Sequence, residues 1–123
     1  MDDCPNPFVP AASLVLNQFA WPAVVSARWQ VIGMDLHIFL TFDRVMDITA
    51  PPNPTHFAVT VGGIAKTMIA PSWLDSLNLD LSVSSYGTPA DGVNVSLPAP
   101  VADVISDTAV MANAFQIENV QPS

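Results

Sequence analysis

Residues Phe57 to Met68 read FAVTVGGIAKTM. Phe57, Val59 and Val61 alternate with Ala58 and Thr60, and Ile64, Lys66 and Met68 resume the alternation after Gly62-Gly63. A period of two places every second side chain on one face of a strand. Gly-Gly takes the positive φ angles that tight two-residue hairpin turns require. The stretch therefore predicts a β-hairpin.

The same alternation recurs on both sides. In MDLHIFLTFD, Met34, Leu36, Ile38, Leu40 and Phe42 alternate with Asp35, His37, Phe39, Thr41 and Asp43. That pattern predicts a long strand with one buried face. Gly33-Met34 reads as a tight turn joining it to a strand through Ala27, Trp29 and Val31. Phe39 breaks the polar face and is a candidate contact residue. Downstream, Leu77, Leu79, Leu81 and Val83 point inward in one strand, and Val93, Val95 and Leu97 in a shorter one. Asp47–Thr55 carries Pro51, Pro52 and Pro54 and must be a loop, since proline cannot donate to a sheet ladder. APSWLDS, Ala70 to Ser76, is read as a loop carrying Trp73, and Ser84–Asp91 as a turn. Val101–Ser123 fits neither period until a last strand around Phe115–Val120. About seven short strands and no long helix predict an all-β, antiparallel sandwich.

The chain has 123 residues, one domain's worth, enough to bury roughly two-thirds of its unfolded surface. Only 11% of its residues are charged, well under the roughly 25% usual for soluble domains. A surface of neutral polar groups explains this, and so does burial within an assembly. The net charge is −8, with Arg28, Arg44 and Lys66 the only cations among Lys and Arg. That balance argues against nucleic acid and against an anionic membrane surface as partners. Cys4 is the single cysteine, so no internal disulfide forms. No apolar run approaches the roughly 18 residues of a membrane span. The acidic, proline-broken MDDCPNP does not read as a signal peptide.

Residues 1–22 form a zone of their own, ahead of a sandwich over 23–123. Pro5, Pro7, Pro10 and Pro22 keep the zone extended and irregular. Phe8, Val9, Leu14, Leu16, Phe19 and Trp21 are too many large apolar groups for a solvated tail. They are candidate partner-binding residues of an arm that lies on its own sandwich or across a neighbouring subunit.

From Trp29 onward, four segments in order resemble the Ig-like β-sandwich repeats of the SwmB type, found in bacterial surface proteins and phage virions. They are VIGMDLHIFLTFDRVMD, FAVTVGGIAKTM, LNLDLSV with GVNVSL, and ISDTAVMANAFQIENV. Together they cover roughly 90 residues. The Gly-Asn of that family's closing motif is replaced here by Thr108-Ala109-Val110. The resemblance implies an Ig-like sandwich serving assembly or adhesion, with no catalytic residues to carry over.

The residues offer little chemistry of their own. His37 falls on the outer face of a strand and His56 beside the proline loop. Neither has a second ligand at the spacing zinc requires. No nucleophile elbow and no phosphate loop is present. Asp43, Asp47, Asp75, Asp91, Asp103 and Asp107 lie in loops, but no calcium-loop array joins them. No cofactor and no metal is expected. Trp73 is read as a loop anchor tucked over the sandwich edge or as an interface hot spot. Trp29 is read as a core or arm-docking group.

The expectation is a non-catalytic interaction module, most specifically a phage virion component such as a capsid-decorating or cement protein. A chain that is a single unit with its own methionine and no export signal fits this. Its partners would be protein subunits, further copies of itself included, bound through Phe8, Val9, Leu14, Leu16, Phe19, Trp21, Phe39 and Trp73. The alternative is a carbohydrate- or receptor-binding adhesion domain of a bacterial surface or phage tail protein.

Overall fold

The structure is a computed structural model and describes residues 21–123. The expected arm residues Phe8, Val9, Leu14, Leu16 and Phe19 lie outside the described residues. Nine strands follow in chain order: β1 (Val24–Ile32), β2 (Asp35–Phe42), β3 (Ala58–Val61), β4 (Ile64–Lys66), β5 (Met68–Trp73), β6 (Asn78–Ser84), β7 (Val93–Leu97), β8 (Phe115–Ile117) and β9 (Gln121–Pro122). They form a five-stranded sheet ordered β5-β6-β2-β1-β9 and a four-stranded sheet ordered β4-β3-β7-β8. Neighbours are antiparallel except β1 and β9, which run parallel. In immunoglobulin lettering, β1, β2, β6 and β5 fill places A, B, E and D of one sheet. β3, β7 and β8 fill C, F and G of the other, with β4 as C′. The fold is an Ig-like β-sandwich.

The alternating residues build its interior. Leu36, Ile38 and Leu40 of β2 stand opposite Val83, Leu81 and Leu79 of β6, and all six are fully buried. Val59 and Val61 of β3 face Val95 and Val93 of β7 across the second sheet. Each fully buried side chain of this size contributes roughly 1.5–3 kcal/mol. Loop residues Met46, Phe57, Val104, Ala112 and Val120 close the ends of the core.

A hairpin forms about Gly62-Gly63 as the sequence predicts, between Ala58 and Lys66, with Val61 opposite Ile64. Gly62 and Gly63 take φ +60° and +81°, the left-handed values of a two-residue turn. Gly33-Met34 turns β1 into β2, and Met34 stays exposed in the turn.

Four expectations need correction. Ala70–Ser76 is not all loop: β5 runs through Pro71 to Trp73. Proline is tolerated there because β5 is an edge strand, bulged between Met68 and Pro71. Met68 does not extend β4, because at Thr67 the chain crosses to the other sheet, where the Ser84 N–H donates to the Thr67 carbonyl (3.2 Å). Leu77 does not point inward; it lies in the β5–β6 loop, 38% exposed. The last strand breaks at Asn119, whose φ of +56° separates β8 from β9. The unexpected β5, and the splitting of the last strand into β8 and β9, account for nine strands where about seven were expected.

Candidate functional site

In an Ig sandwich the B–C, D–E and F–G connections gather at the end where strand A begins. Here those connections are residues 43–57, 74–77 and 98–114. Backbone hydrogen bonds tie them into one surface, called the loop pole below. The Asp43 N–H donates to the Ala23 carbonyl (2.9 Å), Met46 to Ser76 (2.8 Å), Asp107 to Val45 (3.1 Å) and Asn113 to Pro22 (2.9 Å). Met46 and Ser106 form an isolated bridge.

Carboxylates hold the individual loops in shape. Asp75 Oδ1 accepts from the N–H groups of Leu77 (2.8 Å) and Asn78 (3.0 Å) and from the Asn78 amide (2.9 Å). The Asn78 side chain and these N–H groups lower the Asp75 pKa. Asp47 accepts from the Thr49 hydroxyl (2.7 Å) and N–H (3.0 Å), which lowers its pKa in the same way. Asp43 pairs with Arg44 at 3.0 Å and caps the Ala23 N–H (3.1 Å), and Arg44 is the main cause of its lowered pKa. His56 Nδ1 lies 2.9 Å from Asp103 Oδ1, while Oδ2 accepts the Asn53 N–H (2.9 Å), so Asp103 pins the B–C loop to the F–G segment. Ser106, buried, accepts from the N–H of Val110 (3.1 Å) and of Thr108 (3.3 Å). These bonds hold Ala109 at φ +64°.

Loops fixed in this way nevertheless expose large apolar side chains. Trp21, Val45, Ile48, Leu74, Leu77 and Met111 are between 38% and 56% exposed. Trp21 is the one residue of this set that the sequence singles out. Leu77 was hidden by its resemblance to a strand position, and Leu74 lies in the stretch read as a loop around Trp73. Val45, Ile48 and Met111 lie in segments without a period, where sequence carries no signal for exposure.

Trp73 sits at the pole but is half-buried. Its ring packs on Phe42 at 5.8 Å between centroids, and its Nε1–H donates to the Ala50 carbonyl (3.2 Å). It thus ends β5 and fastens the B–C loop. Phe39 is elsewhere, on the outer face of β2, stacked on His37 at 6.2 Å and 17°. His37 Nδ1 lies 3.0 Å from both oxygens of Asp80. Trp29 is half-buried against the core.

Each histidine turns Nδ1 to a single carboxylate, His37 to Asp80 and His56 to Asp103. Among the described residues no hydroxyl or thiol is hydrogen-bonded to either ring, and no three metal-ligating side chains cluster. Four grooves on the described residues have volumes from about 130 to 450 Å³. Asp91 is the carboxylate among their linings, and neither histidine reaches them. No described helix is long and apolar enough to cross a membrane. Compared with known proteins, the chain matches no family model and no curated protein.

Proposed function

We propose that this protein is a non-catalytic packing module of a larger protein assembly, most specifically a phage virion component such as a capsid-decorating or cement protein. The observation that carries the reading is the loop pole. Five large apolar side chains stand exposed on hydrogen-bonded loops at one end of a sandwich, and Trp21 precedes β1 at the same end. Grouped exposed apolar residues on a rigid scaffold mark interaction surfaces. A charged fraction of 11% suits a surface that spends its life against other subunits. The motif order that resembles SwmB-type repeats favours a virion or a cell-surface setting. The test is a density gradient of particles from cultures that produce the chain, read by mass spectrometry. The chain should migrate with the particles in fixed ratio to their major protein. A chain found only in the soluble fraction would overturn the virion reading.

One observation favours a second reading, a carbohydrate-binding face. The Phe39–His37 stack lies beside Asp80 on an outer sheet face, with Arg28 opposite Phe39 in the ladder. Aromatic rings flanked by polar groups suit sugar recognition. Binding on a glycan array that is lost in Phe39→Ala would select this reading. Trp73 is the wrong residue for that experiment, since its ring is turned onto Phe42.

A further inference from the structure

A groove opens beside β9, away from the loop pole and from the outer face of β2. Its volume is about 380 Å³, within the roughly 300–1,000 Å³ of small-molecule sites. Trp29 of β1, Pro89 and Asp91 of the β6–β7 connection, and Asn119, Gln121 and Pro122 around β9 line it. Strand alternation brings Trp29 here. Ala27 and Trp29 stand on the inner side of β1, while Arg28 stands on the outer side beside Phe39. Ala27 is buried, but Trp29 is only half-buried, because the sheet ends beside it at the two-residue β9.

The walls are fixed without most of the side chains that line them. Asn94 Oδ1 accepts the Asn119 N–H (2.9 Å), which holds Asn119 at φ +56°, and the Val93 carbonyl accepts the Val120 N–H (2.8 Å). The Pro89 carbonyl accepts the Gly92 N–H (3.1 Å) and closes the turn that carries Asp91. Gly92 keeps the space between the walls open, since a Cβ there would stand 3.5 Å from Asn119 Oδ1. Gln121 Nε2 donates to the Asn119 carbonyl (2.9 Å), which leaves its Oε1 as an acceptor. Among the described residues the Trp29 indole N–H, the Asp91 carboxylate and the Asn119 carboxamide make no hydrogen bond or ion pair.

We propose that this groove binds a neutral sugar, as a pyranose ring. The free groups are one donor on an aromatic ring, one ionised acceptor, and carboxamides that both donate and accept. A pyranose matches all of them at once. Its hydroxyls donate to Asp91 and accept from the amide and indole N–H groups, and its C–H face lies on the indole and the flanking prolines. Other occupants match fewer. An anion meets Asp91 with no cation lining the groove. A cationic group would engage Asp91 and leave Asn119 and Gln121 unused. The chain's own stretch from Cys4 to Ala27 has no charged side chain to balance Asp91, so covering the groove with it would strip water from an unpaired carboxylate. The site is independent of the packing surface at the loop pole and differs from the Phe39 face in every residue.

Amide and indole spectra of the full chain test this, titrated with the methyl glycosides of glucose, galactose, mannose and N-acetylglucosamine to about 50 mM. At least one sugar should shift the Trp29 indole signal together with the amides of Asp91, Gly92 and residues 119–121, saturating in the millimolar range of a shallow site. No shift with any of the four would overturn the proposal. Asn119→Gly and Asp91→Ala separate binding from folding. Glycine suits φ +56°, and Asp91 is exposed and unpaired, so both variants should melt within about 3 °C of the parent chain. Their Kd for the sugar should rise at least tenfold, and a Kd unchanged in both would overturn the proposal. So would loss of binding in Phe39→Ala with the groove variants unaffected, which would place the sugar on the outer face of β2. Ethylammonium that shifts the same signals at lower concentration than any sugar would overturn it in favour of a cationic partner. Comigration with particles and no sugar binding would remove the sugar site alone. Sugar binding without comigration would remove the virion reading alone.

Discussion

Gly62 and Gly63 share a turn but should respond differently to alanine. Both have positive φ, and an L side chain in that region costs about 1–2 kcal/mol. Alanine also narrows the unfolded ensemble, which returns about 0.4–1 kcal/mol. A Cβ on Gly63 meets nothing within 4 Å. Gly63→Ala should therefore cost roughly 0.5–1.5 kcal/mol. A Cβ on Gly62 overlaps the Thr88 hydroxyl, with the Thr88 carbonyl at 3.5 Å and Asp91 Cβ at 3.6 Å behind it. Thr88 makes no side-chain cap bond, so its hydroxyl can swing aside. Threonine is stiff at χ1, and leaving its rotamer costs about 0.5–1.5 kcal/mol. Gly62→Ala should cost about 1.5–3 kcal/mol, or roughly 4 °C of melting temperature per kcal/mol. In a Thr88→Ala background the extra cost should vanish, leaving a coupling near 1 kcal/mol between the two positions. Urea denaturation of the four variants measures it. Equal losses for Gly62→Ala and Gly63→Ala, or zero coupling, would refute both the turn geometry and the approach of the Pro89–Asp91 turn to the hairpin tip.

Leu40→Ala removes a fully buried side chain opposite Leu79 and should cost about 2–5 kcal/mol in urea denaturation. Ala109→Gly relieves an L residue at φ +64° and, after the unfolded-state entropy is counted, should be neutral to stabilising by about 1 kcal/mol, where most glycine substitutions destabilise. His56→Ala removes one of the two bonds that join the B–C loop to Asp103 and should cost about 0.5–1 kcal/mol, the range of a partly exposed hydrogen bond, with faster hydrogen exchange at Asn53, whose N–H is left as the remaining tie. Asp47 and Asp75 have folded pKa values below their unfolded ones, so their contribution is complete above about pH 3.9 and is lost as pH falls through the lower folded values. Exchange protection at Thr49, Leu77 and Asn78 should stay constant from pH 7 to about 5 and fall below about 4; a loss between pH 7 and 5 would contradict this.

The sandwich was legible where two signals coincided. Around Gly62-Gly63 and Gly33-Met34, period-two alternation met residues that turn tightly, and both hairpins form there. β5 was not legible because Pro71 reads as a breaker, and only its place at a sheet edge makes it admissible. The crossing at Thr67 leaves no mark, since Met68 continues the alternation of Ile64 and Lys66. The pole was the least legible part. Leu74 and Leu77 are exposed because Asp75 folds the loop between them, and side-chain hydrogen bonding of that kind leaves no periodicity in a sequence. Trp73 was found as an aromatic near a loop, but its burial against Phe42 depends on a register that the sequence does not display.

A dilution series of amide spectra on the full chain would locate the surface used for association. The account predicts concentration-dependent shifts at Trp21 and at residues 43–49, 74–78 and 105–113, with the outer faces around Phe39 and Ser96 unchanged. Shifts centred on either outer face, or none from micromolar to millimolar protein, would contradict it.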